Sequence, residues 1–288
     1  MKFTRPITDI IRERSSVRTY NGKPLENEIK EEIKQILENN SFKSPFSRFG
    51  EKVRFKLISM PEFDPKEKKK LGTYGVIEGA QDFIVGAVNK SKYGKEHYGY
   101  ILETIILIAT DKGLGTCWLG GTFTRSGFSK KINKEINEIV PAITPVGYWD
   151  KTNSRDVAFR ANIKANTRLP WKKLFFEGNF TTPLDQEKIG VFSTLLEMVR
   201  ISPSAGNRQP YRIIKEVDRN IFHFYVEYAK PPYNPGYNVF MEVDIGIAVS
   251  HFNLCAQELG IQGDWFLDKP EILGSENFLY SISWKGDN

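Results

Sequence analysis

Cysteine is nearly missing from this chain. Its two cysteines, Cys117 and Cys255, each sit in an apolar stretch with no second Cys or His at metal-ligand spacing. A disulfide framework and a zinc site are thereby excluded, no metal is expected, and both thiols read as buried and free in a reducing compartment. Histidine is scarce as well. Of His97, His223 and His251, the first lies in the polar stretch Tyr93-Gly94-Lys95-Glu96 and is expected to be solvated. His223 alternates with Phe222 and Phe224 and is expected to face out of a strand; His251, in an apolar helix, is expected to be a hydrogen-bonded core residue. No apolar run is long enough for a membrane span, and MKFTRPITDIIRERSS holds none suited to a signal peptide, so a cytoplasmic protein without a membrane partner is expected. A one-signed charge block is also lacking. The 41 basic residues are dispersed among 35 acidic ones, which argues against a nucleic-acid groove; the run from Lys66 to Lys70 reads as a solvated loop or helix start. Ser204 lacks a Gly-x-Ser-x-Gly elbow, and Gly113-x-Gly115 follows a helix rather than a strand, so neither a serine hydrolase nor a dinucleotide fingerprint is present.

What remains is a chain of 288 residues, 40% of them hydrophobic, enough for a real core. Leu25, Ile29, Ile33, Ile36 and Leu37 share one helical face, which predicts a helix over 25–39 after Pro24. Val53, Phe55 and Leu57 alternate with basic residues and predict a half-buried strand. Phe83 to Val88 reads as a central strand, Tyr100 to Ala109 as a mostly apolar helix, and Ile139 to Tyr148 as a further strand. From Asp150 to Lys164 the chain turns polar and basic, as a surface connection would. The pattern then resumes. Pro183-Leu184 echoes Pro24-Leu25, Ser202-Pro203 echoes Ser44-Pro45, Arg212 echoes Arg54, and Gly260 to Trp265 echoes Gly113 to Trp118. Four matches in one order point to a duplicated α+β half: 1–150, a connecting segment 151–182, and 183–288, with the halves packed as a pseudo-dimer.

Three stretches carry chemistry. In Arg14-Ser15-Ser16-Val17-Arg18, after a short helix with Ile7, Ile10 and Ile11 on its apolar face, two guanidiniums and a hydroxyl at alternate positions suit one phosphate. A solvated Arg-rich helix end gives the same string. The loop Ser202 to Tyr211 is longer than a turn needs, and its Ser, Asn and Gln groups suit a planar ligand with polar edges. In the run from Gly113 to Gly121, Gly120 and Gly121 could present backbone amides to a cofactor, although a glycine helix cap and tight turn would read alike.

Taken together, Arg14/Ser16/Arg18, Pro203 to Tyr211 and Leu114 to Gly121 make the chain resemble the FMN-dependent nitroreductase family over essentially its whole length. The resemblance implies a three-layer α-β-α sandwich of the α+β class, FMN as cofactor, NAD(P)H as co-substrate, and Arg168 as a further phosphate ligand. It also implies a small-molecule acceptor such as a nitroaromatic, quinone or free flavin, and ping-pong turnover in which flavin N5 carries the chemistry and no side chain is catalytic. In ordinary members each site draws on two subunits; this chain is similar to the fused, single-chain branch, and a monomer is expected.

Departures from the family pattern are complementary. The first half keeps the Arg-Ser-Arg string but reads Ser44-Pro45-Phe46-Ser47-Arg48 where the Asn/Gln loop belongs. The second half keeps the loop but has Asn179-Phe180-Thr181-Thr182 where the string belongs. The surviving pieces sum to one site per chain: Arg14, Ser15, Ser16, Arg18 and Arg168 around the phosphate, Pro203, Ser204, Ala205, Asn207 and Gln209 near the ribityl chain and ring, Gly120 and Gly121 beside N5. A flavin carrier or sensor without turnover, or a reductive dehalogenase-like flavoenzyme, fits the same residues. Reconstituted protein is therefore expected to hold one FMN per chain by absorbance, and two tightly held equivalents would rule the single site out.

Overall fold

The computed structural model describes residues 3–38, 42–150, 167–228 and 235–287. The chain forms two compact units, Met1–Arg5 with Glu13–Ala165, and Pro6–Arg12 with Asn166–Asn288. Helix α1 (Ile7–Glu13) buries Ile7, Ile10 and Ile11. The segment Pro6–Arg12 clusters with the second unit, where the Ile7 amide donates to Glu258, although sequence continuity had suggested the first.

In the first unit, α2 (Asn27–Glu38) buries Ile33 and Leu37 and packs on β1 (Val53–Ser59). Helix α3 (Pro65–Lys68) is the start of the lysine run, capped by the Asp64 carboxylate, which accepts the Lys66 and Glu67 amides. Strand β2 (Asp82–Asn89) is buried from Asp82 through Val88, the continuous apolar pattern of a strand covered on both faces. Helix α4 (Gly94–Asp111) packs on β2. Beyond it come β3 (Gly115–Thr116), α5 (Arg125–Lys131), β4 (Glu138–Ile139) and β5 (Ile143–Gly147). The strand expected over 139–148 is thus two pieces, interrupted at Pro141, which has no N–H for a ladder. The sheet runs β1-β2-β5-β3, with β4 also on β2.

The second unit contains β6 (Phe175–Glu177), α6 (Phe192–Arg200), β7 (Tyr211–Lys215), β8 (Ile221–Glu227), α7 (Met241–Glu258), β9 (Gly263–Phe266) and β10 (Phe278–Gly286). Residues 151–166 of the expected connection lie outside the described residues; the rest of it, 167–182, is part of this unit and supplies β6, parallel to β7. The sheet order is β6-β7-β8-β10-β9, and every pairing among the last four is antiparallel. The four-strand path β7-β8-β10-β9 repeats β1-β2-β5-β3. Phe192, Phe222, Phe252 and Trp284 interlock at centroid separations of 5.1–6.0 Å and fill this unit's core.

The long helices end alike. Gly113, at φ 73°, follows α4, with the Leu114 amide on Ala109 O at 2.9 Å and the Gly113 amide on Thr110 O at 2.9 Å. Gly260, at φ 68°, follows α7, with Ile261 on Ala256 O at 2.9 Å and Gly260 on Gln257 O at 3.2 Å. Both are Schellman turns, which need a left-handed residue at that one position. Asn238–Glu258 is, against the sequence expectation, long and apolar enough to cross a membrane, but 72% of that window is buried inside the protein; Glu242 and Asp244 interrupt it, and it serves as a core helix.

Two histidines depart from expectation. His97 is 3% exposed and His223 2%. His223 Nε2 lies 3.0 Å from Glu216 Oε1, its Nδ1 lies 2.7 Å from Ser283 Oγ, and Ser283 Oγ lies 2.8 Å from the Tyr280 hydroxyl, so this strand position is turned into a polar relay rather than to water. His251 matches its expectation, with Nδ1 at 2.9 Å from Met198 O. Ser44 Oγ accepts the Phe46 amide and lies 2.7 Å from His97 Nδ1, a polar contact that holds the imidazole in the interior. Burial pushes the His97 pKa from 6.5 down to about 4. Below about pH 6.5 the unfolded chain takes up this proton before the folded one, so stability is full above that pH and falls until about pH 4, by ~3 kcal/mol from this group. Urea unfolding at about pH 7 and about pH 4.5 is expected to show a smaller acid loss in His97→Gln than in wild type.

Candidate functional site

The Arg14–Arg18 string leaves α1 as extended chain. Ser16 bridges to Thr116 in parallel register, and the Val17 amide donates to Thr116 O at 2.8 Å. Val17 is buried, and a Cβ on Gly115 would stand 3.0 Å from its side chain, so glycine there is what lets the two segments lie together. Alternation along extended chain puts Arg14, Ser16 and Arg18 on the edge opposite Val17. Two of the three stretches singled out in the sequence are therefore neighbours in the first unit.

Arg14 and Arg18 are not solvated tails. Arg18 is 9% exposed and its Nη1 donates to Ser16 O at 3.3 Å. The Arg14 side chain is 7% exposed, with Nε 4.0 Å from Oε1 of Glu103, whose side chain is fully buried. Glu103 Oε2 accepts the Trp118 indole N–H at 2.7 Å. One carboxylate on α4 thus holds both the string and the glycine segment. At that segment's far end, Gly120 O accepts Arg125 Nη2 at 2.6 Å, and a Cβ on Gly121 would meet no atom within 4 Å.

The second unit presents the loop between α6 and β7. Tyr211 is fully buried, its hydroxyl on Arg200 O at 3.2 Å and Ser202 O at 3.3 Å, so the aromatic that ends the motif closes the loop's base; burial raises its pKa to about 12. Within the loop Gly206, Asn207 and Gln209 take φ of 59°, 55° and 52°. Two non-glycine residues in left-handed conformation within three positions store roughly 1–3 kcal/mol each, and such strain clusters at functional sites. Arg168 and Leu169 clasp the run: Arg168 Nη1 donates to Asn207 Oδ1 at 3.2 Å, Nη2 donates to Ile201 O at 3.1 Å, and the Leu169 amide donates to Gln209 Oε1 at 2.7 Å. Ser204 Oγ accepts the Gln209 amide at 2.8 Å. Pro203, Ser204 and Ala205 are half-buried, Gly206 is exposed and Gln209 is buried. Arg208, between Asn207 and Gln209, is right-handed, at φ −77°, and this alternation of hand turns successive backbone N–H groups to one side, a concavity that suits an anion or a polar ring edge.

Sequence reasoning missed two acids. Glu103 and Asp244 both lie in largely apolar helices and both are buried. An acid flanked by apolar residues in such a helix was the available signal, since a buried carboxyl persists only with a partner. Asp244 Oδ1 accepts the Ala205 amide at 3.0 Å, and burial pushes its pKa from 3.8 up to about 8 against the opposing charge of Arg208. Among the described residues no group of three or more His, Cys, Asp or Glu could hold a metal ion.

With this geometry in hand, comparison with known families is decisive. The family model described as "Putative TM nitroreductase" matches residues 6–256. The chain belongs to this nitroreductase family. Membership places it among oxidoreductases and agrees with its α+β architecture. The "putative nitroreductase" of Thermotoga maritima MSB8 is 20% identical, with 99% of this chain and 95% of that one covered at a TM-score of 0.60, a likeness of fold. A nitroreductase family protein of Clostridium difficile 630 is 18% identical over 52% of this chain and 86% of its own, at a TM-score of 0.41. The FMN-dependent nitroreductase of Clostridium difficile R20291 is 19% identical over 49% and 87%, at a TM-score of 0.39. No curated protein matches the sequence.

Replacing Glu103 by Ala leaves the Trp118 indole N–H and the Arg14 charge without their buried acceptor. Chemical denaturation is expected to show a loss of about 3 kcal/mol, as for other buried pairs broken on one side.

Proposed function

We propose that this nitroreductase-family protein uses one FMN to pass electrons from NADH or NADPH to a nitroaromatic, quinone or similar small acceptor. The observation that carries this reading is the strained, clasped loop from Ser204 to Gln209, at the motif through which the chain resembles FMN-dependent members. The donor set fits the cofactor. Arg14, Ser16 and Arg18 supply charge-assisted donors for a phosphate, with Arg168 as a fourth group and Ser15 beside them. Ser204 offers its hydroxyl proton to a ribityl chain and ring, beside Pro203, Ala205, Asn207 and Gln209, while the Ala205 amide itself is held by Asp244. Assigning both sets to one FMN rests on the complementary losses in the two halves. When bound, FMN would supply hydride acceptance at N5 and onward electron transfer.

The residues of this chain contribute position and charge rather than acid–base chemistry. The clasp of Arg168 and Leu169 holds Asn207 and Gln209 in left-handed conformation before any ligand arrives, so the ordering cost of binding is largely met in advance. Gly120 and Gly121 leave a backbone edge with no Cβ in the way of a ring. We also read the chain as an internal duplication. The repeated strand order, the matched Schellman turns, and the two tryptophans whose indole N–H groups reach the long helices, Trp118 to Glu103 and Trp265 to Asn253 at 2.7 Å each, support that reading. On this account the protein works as a cytoplasmic monomer, without a nucleic-acid or membrane partner.

Anaerobic NADH or NADPH is expected to bleach the visible band of the bound flavin, and a nitroaromatic to restore it. Retained binding without bleaching would make the protein a flavin carrier instead. Gly121→Ala is expected to leave stability within about 0.5 kcal/mol, because its Cβ enters open space. Its rate of flavin reduction should nevertheless fall by about tenfold or more, as expected when a reacting pair is displaced; an unchanged rate would remove Gly121 from the flavin's edge.

A further inference from the structure

Each long helix uses its fourth residue to hold the loop that leads into the strand opening the shared four-strand path, β1 in the first unit and β7 in the second. In α4 that residue is His97, whose Nδ1 lies 2.7 Å from Ser44 Oγ. In α7 it is Asp244, whose Oδ1 takes the Ala205 N–H at 3.0 Å. The displacement from 97 to 244 is also that from Trp118 to Trp265. The two loops so held differ in kind. The one in the first unit is a 3-10 turn, Pro45–Phe49, with its own capping box and a glycine at its end. The one in the second unit contains the left-handed run Gly206, Asn207 and Gln209, and Ala205 is the residue immediately before that run.

A left-handed non-glycine residue costs energy, so the run persists only where neighbouring contacts over-determine it. On one side Arg168 and Leu169 fix the side chains of Asn207 and Gln209. On the other, Asp244 holds the Ala205 N–H just ahead of the run, beside the turn bond from the Asn207 N–H to Ser204 O at 2.9 Å. Asp244 is 4% exposed and lies among buried Val243, Ile245 and Ile247. Keeping a carboxyl there costs desolvation energy, which the Ala205 hydrogen bond and the charge of Arg208 offset only in part. Stability alone does not account for it.

We infer that Asp244 is a positioning residue for flavin binding: by holding the Ala205 N–H it sets the Gly206–Gln209 backbone, left-handed at Gly206, Asn207 and Gln209, in the geometry that the ligand meets. The inference deepens the FMN reading and rests on it. Asp244 acts through Ala205 and is not itself assigned a contact with the flavin.

Three variants test it, read by FMN affinity from fluorescence quenching, by the fine structure of the bound flavin's visible band, and by thermal unfolding of the flavin-free protein. Asp244→Ala removes the acceptor and is expected to weaken FMN binding about tenfold, the worth of one such hydrogen bond, and to alter the fine structure at saturating FMN. Asp244→Asn keeps a carbonyl acceptor and is expected to restore both to near wild type. Ala205→Pro removes the donor instead. Ser204 before it is extended (φ −149°, ψ 159°) and Ala205 opens a 3-10 turn, so proline fits the backbone, and this variant covers the case in which Asp244→Ala fails to fold. It is expected to reproduce the weakened affinity. If Asp244→Ala or Ala205→Pro lowers the unfolding temperature while affinity and fine structure stay those of wild type, the positioning role is overturned and the FMN reading stands. If wild-type protein takes up no FMN, both fall.

Discussion

The carboxylate of Glu103, buried in the middle of α4, accepts the Trp118 indole N–H and faces Arg14, and the arrangement of the first unit follows from that contact. α4 is buried along nearly its whole length, and Glu103 is the carboxylate at its middle that engages other segments. Glu103 ties it to the chain that has just passed the Gly113 turn and to the string that leaves α1. A buried carboxylate is costly without partners, and here the partners are residues whose positions the site depends on. The same contact that makes the helix tolerable therefore also orders the Arg14–Arg18 edge beside Gly115 and Thr116.

In the second unit the same architecture is kept with different chemistry. Trp265 also reaches back to its long helix, but its acceptor is Asn253, and the residue corresponding to Glu103 is Ser250. Topology, helix length and the glycine turn are shared, whereas the polar side chain that meets the tryptophan has moved along the helix by about one turn. Backbone geometry constrains where an indole arrives; it constrains less strictly which nearby residue receives it. Two units with the same four-strand path thus differ in their polar groups, one carrying a guanidinium edge and the other a strained loop.

Local signals were legible in the amino-acid string wherever the physics is local. The apolar face of α2, the continuous run of β2, the glycine after α4 and the unusual length of the 202–211 loop all reside in contiguous residues. Features that depend on distant partners were not. His97 sits among polar neighbours in sequence, yet Ser44 draws it into the interior. His223 obeys strand alternation but is covered because Ser283 and Glu216 lie on the same face. Strand β6 has three residues and becomes a strand only through its pairing with β7. The grouping of Pro6–Arg12 with residues more than 150 positions away is invisible to any window of sequence. In the candidate site the motif residues were readable by type, while their support by Glu103, Asp244 and Leu169 required coordinates.

That division bears on how the loop works. Asn207 and Gln209 read in sequence as free donors and acceptors waiting for a ligand. In the folded chain much of their capacity is already engaged: Asn207 Oδ1 by Arg168, Gln209 Oε1 by the Leu169 amide, and Gln209 Nε2 by Asn207 O at 3.1 Å. A carboxamide so engaged contributes less through its own hydrogen bonds than through the backbone it holds in place. On the proposed FMN reading, the left-handed backbone rather than the side chains that name the motif would meet the ligand, and the motif's amides are the means of keeping it in place. Binding to a preformed backbone avoids the entropy of ordering a loop. The cost appears instead as strain carried permanently by the fold, and that strain accounts for the loop being fixed from both sides.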